Sequence, residues 1–297
     1  MSLIAIDNLT TPEPVNAAPP GAAPRIKPHL TIEPSSGFAA LQLKELWRYR
    51  DLLLMLAMRD VKLRYRQTAL GVIWVVLQPL LGAFILGFVF GRVAKLPTGG
   101  SYFLFAYTGL LGWNAFSGTL SKASACVVGN SQLVSKVFFP RLILPLSTIA
   151  STLIDFAVGL AFMAVLLPIY GIKPGWEILL LPIWLALAIL LAVGVGMYTA
   201  ALMVRYRDLQ YVIPVLMQFW LYASPVAYAL LAIPRRFRWA YLLNPMASLL
   251  EGFHLSLLGQ GTFHWPFLIY SCIFSIGVFA FGVISFRRME RGFADVI

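Results

Sequence analysis

The junction between a basic segment and a long apolar run constrains the fold of this chain most. Residues 59–81 read RDVKLRYRQTALGVIWVVLQPLL, in which the first half carries three arginines and a lysine and the second half is apolar except for Gln78. Cations enter hydrocarbon only at a high free-energy cost, so they stay at the membrane surface and a membrane span begins after them. This junction predicts that the segment before it lies on the cytoplasmic side.

The composition indicates a membrane protein with several spans. The chain has 297 residues, of which 60% are hydrophobic and 12% are charged, whereas soluble domains have about 25% charged residues. The net charge of +11 comes from bases that flank apolar runs, a pattern typical of contact with anionic lipid headgroups and not of nucleic-acid binding. Both cysteines, Cys126 and Cys272, fall in apolar runs, so we expect packed, reduced thiols.

The chain divides into three regions. Residues 1–37 are rich in proline and poor in apolar side chains, which predicts a disordered cytoplasmic tail. Residues 38–70 alternate apolar and charged groups, and residues 71–297 carry the apolar runs.

The apolar runs predict an all-α, polytopic membrane protein. About 20 apolar residues cross the hydrocarbon core, and this length gives six transmembrane helices. Their predicted bounds are 71–91, 102–121, 142–168, 178–204, 209–231 and 266–286. Six spans place both termini in the cytoplasm, and most basic residues then fall on the cytoplasmic side, as the positive-inside rule requires.

The segment before the first span is predicted to form one or two amphipathic helices in the membrane interface. An apolar stripe at helical spacing, with basic residues largely off it, consists of Leu43, Leu46, Trp47, Leu53, Leu54 and Ala57. The basic face is either solvated without a partner or a docking surface for a cytosolic subunit, and the spacing fits both.

The segment 233–265, between the fifth and sixth spans, is too polar to span a membrane and too apolar for a free loop. Asn244 and Pro245 form a good cap and first-turn pair, so a short helix should start there. Two short helices that enter the outer leaflet part-way fit this segment. Glu251 lies within it, and its candidate ion-pair partners are Arg235, Arg236 and Arg238.

Catalytic motifs are absent from the sequence. It contains no G-x-x-x-x-G-K-[ST] loop, no Cys/His cluster suited to a metal and no nucleophile elbow. Asp155 lies in the third predicted span. An intramembrane carboxylate is a candidate functional group, and the alternative is a structural aspartate that is protonated or paired near Ser151 or Thr152.

Two predicted spans carry aromatic and amide side chains on one face. In the first span this face consists of Trp74, Gln78, Leu81, Ile85 and Phe88, whereas Val75 lies off it. In the fifth span it consists of Tyr211, Val215, Gln218 and Tyr222, flanked by Phe219 and Trp220, with Leu216 off the face. Rings can stack on sugars and amides can bind hydroxyls, although aromatic residues also serve as interface anchors and packing residues.

The loop between the second and third spans reads VVGNSQLVSKVFFPRLILP. Asn130 or Ser131 can cap a short helix that ends before Pro140. We expect such a helix to expose Lys136, Phe138 and Phe139 to a partner at the membrane surface.

Several motifs occurring in one order resemble a known family. They are RDVKLRYRQTALGVIWVVLQPL, GNSQLVSKVFFPRLILPL, VRYRDLQYVIPVLMQFWLYASPVAY, LNPMASLLEGF and the ending FRRMERGFADVI. Together they resemble the permease subunits of type-2 ABC exporters, in particular the O-antigen and lipopolysaccharide-type polysaccharide exporters, with teichoic-acid and capsule permeases as relatives. The resemblance covers about residues 40–297.

The resemblance implies a homodimeric permease in the inner membrane that exports a lipid-linked polysaccharide. Two copies of a separate ATPase subunit, which binds ATP and Mg²⁺, would dock on the interface helix and on a coupling helix between the second and third spans. This chain would then hold no cofactor of its own. Re-entrant helices would follow the fifth span, and the polymer channel between the two permease copies would be lined by the first and fifth spans.

The residues of this chain that match those elements are the predicted site residues. The channel set is Trp74, Gln78, Phe88, Gln218, Phe219 and Tyr222. The ATPase-coupling set is Lys136, Phe138, Phe139, Arg59, Arg64 and Arg66. The re-entrant set is Asn244, Pro245 and Glu251.

Three other functions are open to a protein of this composition. One is an exporter of drugs or small lipids, against which the long outer segment and the aromatic faces argue. Another is a membrane-embedded glycosyltransferase, which needs acidic metal-binding pairs on a cytoplasmic loop that this sequence lacks. The last is a proton-driven transporter, which normally needs more intramembrane carboxylates than the solitary Asp155.

Overall fold

A computed structural model describes residues 43–66, 73–95, 100–226, 228, 241, 243–260, 265–290 and 292–293, and these residues form helices without strands. The predicted tail, residues 1–37, lies outside the described residues. The ten α-helices that we number here are α1 Leu43–Arg48, α2 Arg50–Arg66, α3 Ile73–Leu86, α4 Tyr102–Gly129, α5 Ser131–Lys136, α6 Ile143–Ile169, α7 Leu181–Arg205, α8 Leu209–Tyr222, α9 Pro245–Leu258 and α10 Trp265–Glu290. A π-helical turn, Gly87–Val93, extends α3, and a 3₁₀ turn, Trp176–Leu180, precedes α7.

Four of the described helical segments are long and apolar enough to cross a membrane: Ile73–Val93, Ile143–Ile169, Trp176–Arg205 and Trp265–Glu290. They coincide with the first, third, fourth and sixth predicted spans. The second predicted span falls on α4, which is less apolar, and the described part of the fifth falls on α8, which has 14 residues. Multiple apolar helices are therefore established, and the count of six spans stays a prediction.

Helix α4 lies at the centre of the bundle, where it packs against α3, α6, α7 and α9. Its sequence, YFLFAYTGLLGWNAFSGTLSKASACVVG, alternates large rings with glycine, alanine and serine. These small residues allow close approach: a Cβ placed on Gly112 would lie 2.8 Å from the Phe253 ring of α9. Such close contact between helices is a common basis of association inside a membrane.

Helices α7 and α10 also meet through small residues. A Cβ on Gly194 of α7 would lie 2.7 Å from the Cα of Phe279 in α10, and a Cβ on Gly282 would overlap the carbonyl of Gly194. The two backbones are thus in direct contact, and α10 depends on this contact for much of its position.

The helices bury two apolar clusters: the first surrounds α4, and the second lies at the end of the bundle that carries α5, which we call the α5 end. Leu56 of α2, Val134 of α5, Phe139 and Ile143 are buried there together with Phe286 of α10. At the same end, the Arg141 guanidinium donates to the carbonyl of Glu290 and lies 5.5 Å from the centre of the Phe293 ring. These contacts join the start of α6 to the end of α10.

Of the one or two helices predicted before the first span, the structure has two, α1 and α2, but their buried stripe differs from the prediction. Leu56 and Ala57 are the buried residues of this segment, whereas Trp47 and Leu54 are exposed. The turn at Tyr49 separates the two helices, so one helical phase does not extend from Leu46 to Ala57.

Candidate functional site

The loop that follows α5 has one exposed and one buried phenylalanine. Helix α5 ends at Lys136, whose side chain is exposed, and Phe138 is 79% exposed. Phe139 is only 5% exposed because it packs into the second apolar cluster. The expectation that both rings are available to a partner is therefore wrong for Phe139, which anchors the loop, whereas Phe138 and Lys136 project from it.

Asn130, a predicted cap of α5, instead binds the backbone of α4 and an arginine of α2. Its Nδ2 donates to the carbonyl of Cys126 at 2.7 Å, and its Oδ1 accepts from Arg59 Nη2 of α2 at 2.8 Å. Its side chain makes no cap hydrogen bond to α5. Asn130 therefore joins the end of α4 to α2.

The basic residues of α2 predicted for docking are turned partly toward the bundle. Arg59 pairs with Asp60 at 2.9 Å in addition to its bond with Asn130. Arg64 Nη2 lies 3.0 Å from Asp155 Oδ2 of α6. The side chain of Arg66 lies outside the described residues.

Asp155 is the centre of a polar cluster and is paired, as the structural alternative predicted. Its Oδ1 accepts from Tyr65 Oη of α2 at 2.6 Å, and its Oδ2 lies 3.1 Å from Lys122 Nζ of α4. Lys122 also donates to Ser151 Oγ at 3.0 Å and to Thr152 Oγ1 at 3.3 Å. We call Arg64, Tyr65, Lys122 and Asp155 the Asp155 cluster, and it joins α2, α4 and α6.

The protonation of Tyr65 follows from this arrangement. Burial of the phenol, together with its hydrogen bond to the Asp155 carboxylate, raises the pKa of Tyr65 to about 12. The phenol therefore stays a hydrogen-bond donor throughout the physiological range.

The predicted face of the first span is exposed in the single chain. Trp74 and Gln78 of α3 and Phe88 of the π-helical turn are exposed, whereas Pro79 and Ala83, on the opposite side of α3, are buried against the bundle. The rings and the amide of the predicted face therefore lie on the exposed side of this helical segment, and their place in a channel stays a prediction.

Helix α8 is exposed on more than one side. Gln218, Phe219 and Tyr222 are exposed, but so is Leu216, at 55%. Exposure in the single chain therefore does not distinguish the predicted face from Leu216, since α8 buries Ile213 alone. Helices α3 and α8 both pack on α4.

Asn244 connects the end of α8 to the start of α9. Its Oδ1 accepts from the backbone N–H of Met246 and from Trp220 Nε1, both at 3.1 Å. Its Nδ2 donates to Ser224 Oγ at 2.9 Å. The predicted helix start at Asn244 and Pro245 is confirmed, because Asn244 caps α9 and Pro245 is its first residue.

Helix α9 is buried along most of its length among α4, α7 and α10. His254 stacks on Phe105 at 3.9 Å, and Trp184 Nε1 of α7 donates to Ser256 Oγ at 3.0 Å. Glu251 is half-buried on this helix, and its predicted partners, Arg235, Arg236 and Arg238, lie outside the described residues. The helix ends at Gly259, whose φ of 65° lies in the left-handed region that glycine adopts readily.

Sequence reasoning missed the partner of Asp155, although a signal was present. Lys122 is the only charged residue of α4, and Asp155 is the only one of α6. Opposite charges that stand alone in two long apolar helices are expected to pair, because an unpaired charge away from water is costly. The link between Trp220 and Asn244 has no comparable signal.

The described residues contain no group of three or more His, Cys, Asp or Glu side chains that could hold a metal ion. The candidate functional features are therefore the exposed faces of α3 and α8, the loop after α5 and the Asp155 cluster.

Comparison with known proteins gives a consistent result. The sequence pattern of the family described as ABC-2 type transporter matches residues 51–258. The O-antigen export system permease protein RfbA of Myxococcus xanthus is 32% identical over 214 residues, which cover 71% of this chain and 81% of that protein.

Two further relatives agree with this match. The O-antigen export system permease protein RfbA of Klebsiella pneumoniae is 28% identical over 251 residues, which cover 83% of this chain and 95% of that protein. The polysialic acid transport protein KpsM of Escherichia coli is 24% identical over 243 residues, which cover 80% of this chain and 92% of that protein.

Proposed function

This chain belongs to the ABC-2 type transporter family, and we propose that it is the membrane subunit of an exporter for a lipid-linked polysaccharide of the O-antigen kind. The relatives whose names mention O-antigen export or polysialic acid transport support a polysaccharide as substrate. A capsule or teichoic-acid polymer is the alternative glycan.

The observation that carries this proposal is the chemistry of the exposed faces of α3 and α8. Each face combines aromatic rings with an amide, Gln78 on α3 and Gln218 on α8. An amide that faces lipid leaves its hydrogen-bonding groups unsatisfied, at a cost of about 2–7 kcal/mol. Such faces are better suited to a water-filled path, where rings stack on sugars and amides bind hydroxyls. A channel between two copies of this chain meets that requirement.

Energy comes from a separate subunit in this proposal. The sequence has no phosphate-binding loop of the G-x-x-x-x-G-K-[ST] type, so ATP and Mg²⁺ bind to a cytosolic ATPase present in two copies. Lys136 and Phe138 project from the α5 end, whereas Arg59 and Arg64 of α2 keep less than half of their side-chain surface exposed. We assign Lys136 and Phe138 as the primary contacts with the ATPase and the arginines as secondary ones.

The orientation follows from charge. The α5 end carries the basic residues of α2 and of the α5 loop, so the positive-inside rule assigns it to the cytoplasm. The protein then lies in the inner membrane with both termini cytoplasmic, and α9 enters from the outer side. Helix α9 has 14 residues and is therefore about 21 Å long, which is less than the thickness of the hydrocarbon core.

The proposal is tested in inverted membrane vesicles that contain this chain and its ATPase. Addition of ATP should move a lipid-linked glycan into the lumen, where it becomes resistant to an added glycosidase. A non-hydrolysable ATP analogue serves as the control and should give no protection. ATP-dependent uptake of drugs or short lipids, with no protection of glycan, would show that the substrate belongs to the other class of type-2 exporters.

A further inference from the structure

We propose that Asp155 is a positioning residue that clasps α2 to α4 and α6, so that the three helices move as one unit when the ATPase acts. This inference rests on the proposed ATP-driven export. Asp155 belongs to neither the predicted channel set nor the ATPase-coupling set, although its partner Arg64 is in the coupling set, and the inference gives this paired aspartate a role in transport.

Helix α2 needs such a clasp because little of its apolar surface is buried. Leu56 and Ala57 are its buried apolar residues and Leu52 and Leu53 are half-buried, whereas Leu54, Met55 and Met58 are all more than half exposed. The buried and half-buried leucines all lie in the first half of this helix of 17 residues, so hydrophobic burial attaches its second half only weakly. The hold of α2 on the bundle therefore depends on its polar contacts.

Those polar contacts lie along the second half of α2. Arg59 binds Asn130 at the end of α4, and Arg64 and Tyr65 bind Asp155 on α6. Of these acceptors, only Asp155 is charged and binds two residues of α2. It is therefore the strongest attachment point, because hydrogen bonds between charged groups are stronger than those between neutral ones.

Asp155 also keeps two cations together. Arg64 and Lys122 both lie within 3.1 Å of its Oδ2 atom, and without the carboxylate they would face each other as like charges. The Asp155 side chain is only 17% exposed, so water screens that repulsion poorly. Loss of the carboxylate should therefore release α2 and also disturb the contact of α4 with α6.

The clasp lies where it can carry movement. Helix α2 ends at Arg66 and α3 begins at Ile73, so only residues 67–72 separate the clasped helix from the predicted channel helix. A docked ATPase that displaces the α5 end pushes on α2, α4 and α6 at once. With the clasp intact, the displacement reaches α3, and without it α2 gives way and the displacement is lost.

The first test compares Asp155→Asn with Asp51→Asn in the complete complex with the ATPase. Asp51 is a carboxylate on α2, the helix that Asp155 holds, and its side chain is 87% exposed, with Arg50 as a distant partner at 3.7 Å. We expect Asp155→Asn to hydrolyse ATP within about twofold of wild type while export falls about tenfold. Asp51→Asn should leave both rates unchanged within about twofold.

Two results would overturn the inference. One is export by Asp155→Asn at the wild-type rate. The other is a parallel fall of ATP hydrolysis and export, which indicates a purely structural role.

Hydrogen exchange separates this inference from the proposed function. The backbone amides of the second half of α2 should exchange about tenfold faster in Asp155→Asn than in Asp51→Asn, because opening of α2 no longer breaks the ion pairs. This measurement needs no transport. If the wild-type complex moves no glycan, the proposed function fails, while unchanged exchange in Asp155→Asn rejects the clasp by itself.

A restored link gives the last test. Arg64→Cys with Asp155→Cys, in a background with Cys126→Ala and Cys272→Ala, removes the clasp and should uncouple export from hydrolysis. Bridging the two new thiols with a short bis-maleimide should restore export. A bridge that is verified by mass spectrometry and restores nothing would show that the helices must separate during transport, and it would overturn the proposal.

Discussion

Phe138 and Phe139 are neighbours in the sequence that lie in opposite environments. Phe138 is exposed, whereas Phe139 is buried among residues of α2, α6 and α10. A pair of adjacent rings gives no indication in the sequence of which one faces inward. The difference depends on how the loop after α5 meets distant helices, and only the structure supplies that information.

The two rings should therefore differ in what their loss does. Phe138→Ala should leave the amount of folded protein unchanged and weaken association with the ATPase. Phe139→Ala should lower the free energy of unfolding by about 3–5 kcal/mol, because it opens a cavity in a packed cluster. Pull-down of the ATPase and thermal unfolding in detergent measure the two effects. Equal loss of stability in both variants would contradict the assignment.

Among the residues, single charges in long apolar helices were the most informative part of the sequence. Asp155 was identified as notable because it stands alone in its span, and its pairing was one of two alternatives. Its partners Lys122, Tyr65 and Arg64 are 33, 90 and 91 positions away, so helical periodicity cannot predict them. The cap at Asn244 was predicted because capping is a local property, and its bond with Trp220 was not.

At the scale of elements, apolar length predicted the helices better than it predicted how they cross. The bounds of α6, α7 and α10 agree with the predicted spans to within a few residues. In α8, by contrast, a face was inferred from spacing, although the helix exposes most of its sides. Periodicity identifies a buried face only when neighbouring helices cover one side of a helix. Among the described residues, α8 has few such neighbours.

At the crossing of α7 and α10, Gly282 lies directly against the backbone of Gly194. Gly282→Ala should force the two helices apart, because its Cβ would overlap the Gly194 carbonyl. We expect a loss of about 1–3 kcal/mol in stability, as is typical of overpacking. Gly277 of the same helix is the matched control, since a Cβ there meets no atom within 4 Å.

Gly277→Ala should be neutral or stabilise the helix by up to about 1 kcal/mol, because alanine has the higher helix propensity. Thermal unfolding of both variants in the same detergent compares them directly. If both variants unfold at the wild-type temperature, α7 and α10 do not cross as closely as described here.

At the scale of the molecule, the chain alone should be unable to use ATP. The sequence has no phosphate-binding loop, and its relatives are named as permeases. The purified chain should hydrolyse no ATP, and activity should appear when the ATPase is added. A catalytically inactive ATPase is the control for contamination. Hydrolysis by the isolated chain at the rate of the complex would contradict the assignment of ATP hydrolysis to a separate subunit.

The last prediction concerns the path of the polymer through the whole assembly. A sliding glycan needs contacts that are weak and exchangeable, which stacking on rings supplies. Single alanine substitutions at Trp74, Phe88 or Phe219 should therefore slow export moderately. Phe88→Ala combined with Tyr222→Ala should slow export more, because the two rings are expected to contact the same glycan.

Accessibility to water distinguishes such a path from a lipid-facing surface. In the background without native cysteines, Gln78→Cys and Gln218→Cys should react with a small water-soluble maleimide when the ATPase is bound. Ile213→Cys is the buried control on α8, and Ile276→Cys on α10 is the exposed apolar control, which we expect to face lipid. Neither control should react, since one position is packed and the other is surrounded by hydrocarbon, where the reagent does not enter. If the glutamine positions remain as unreactive as Ile276→Cys in every nucleotide state, the faces of α3 and α8 contact lipid and the channel lies elsewhere.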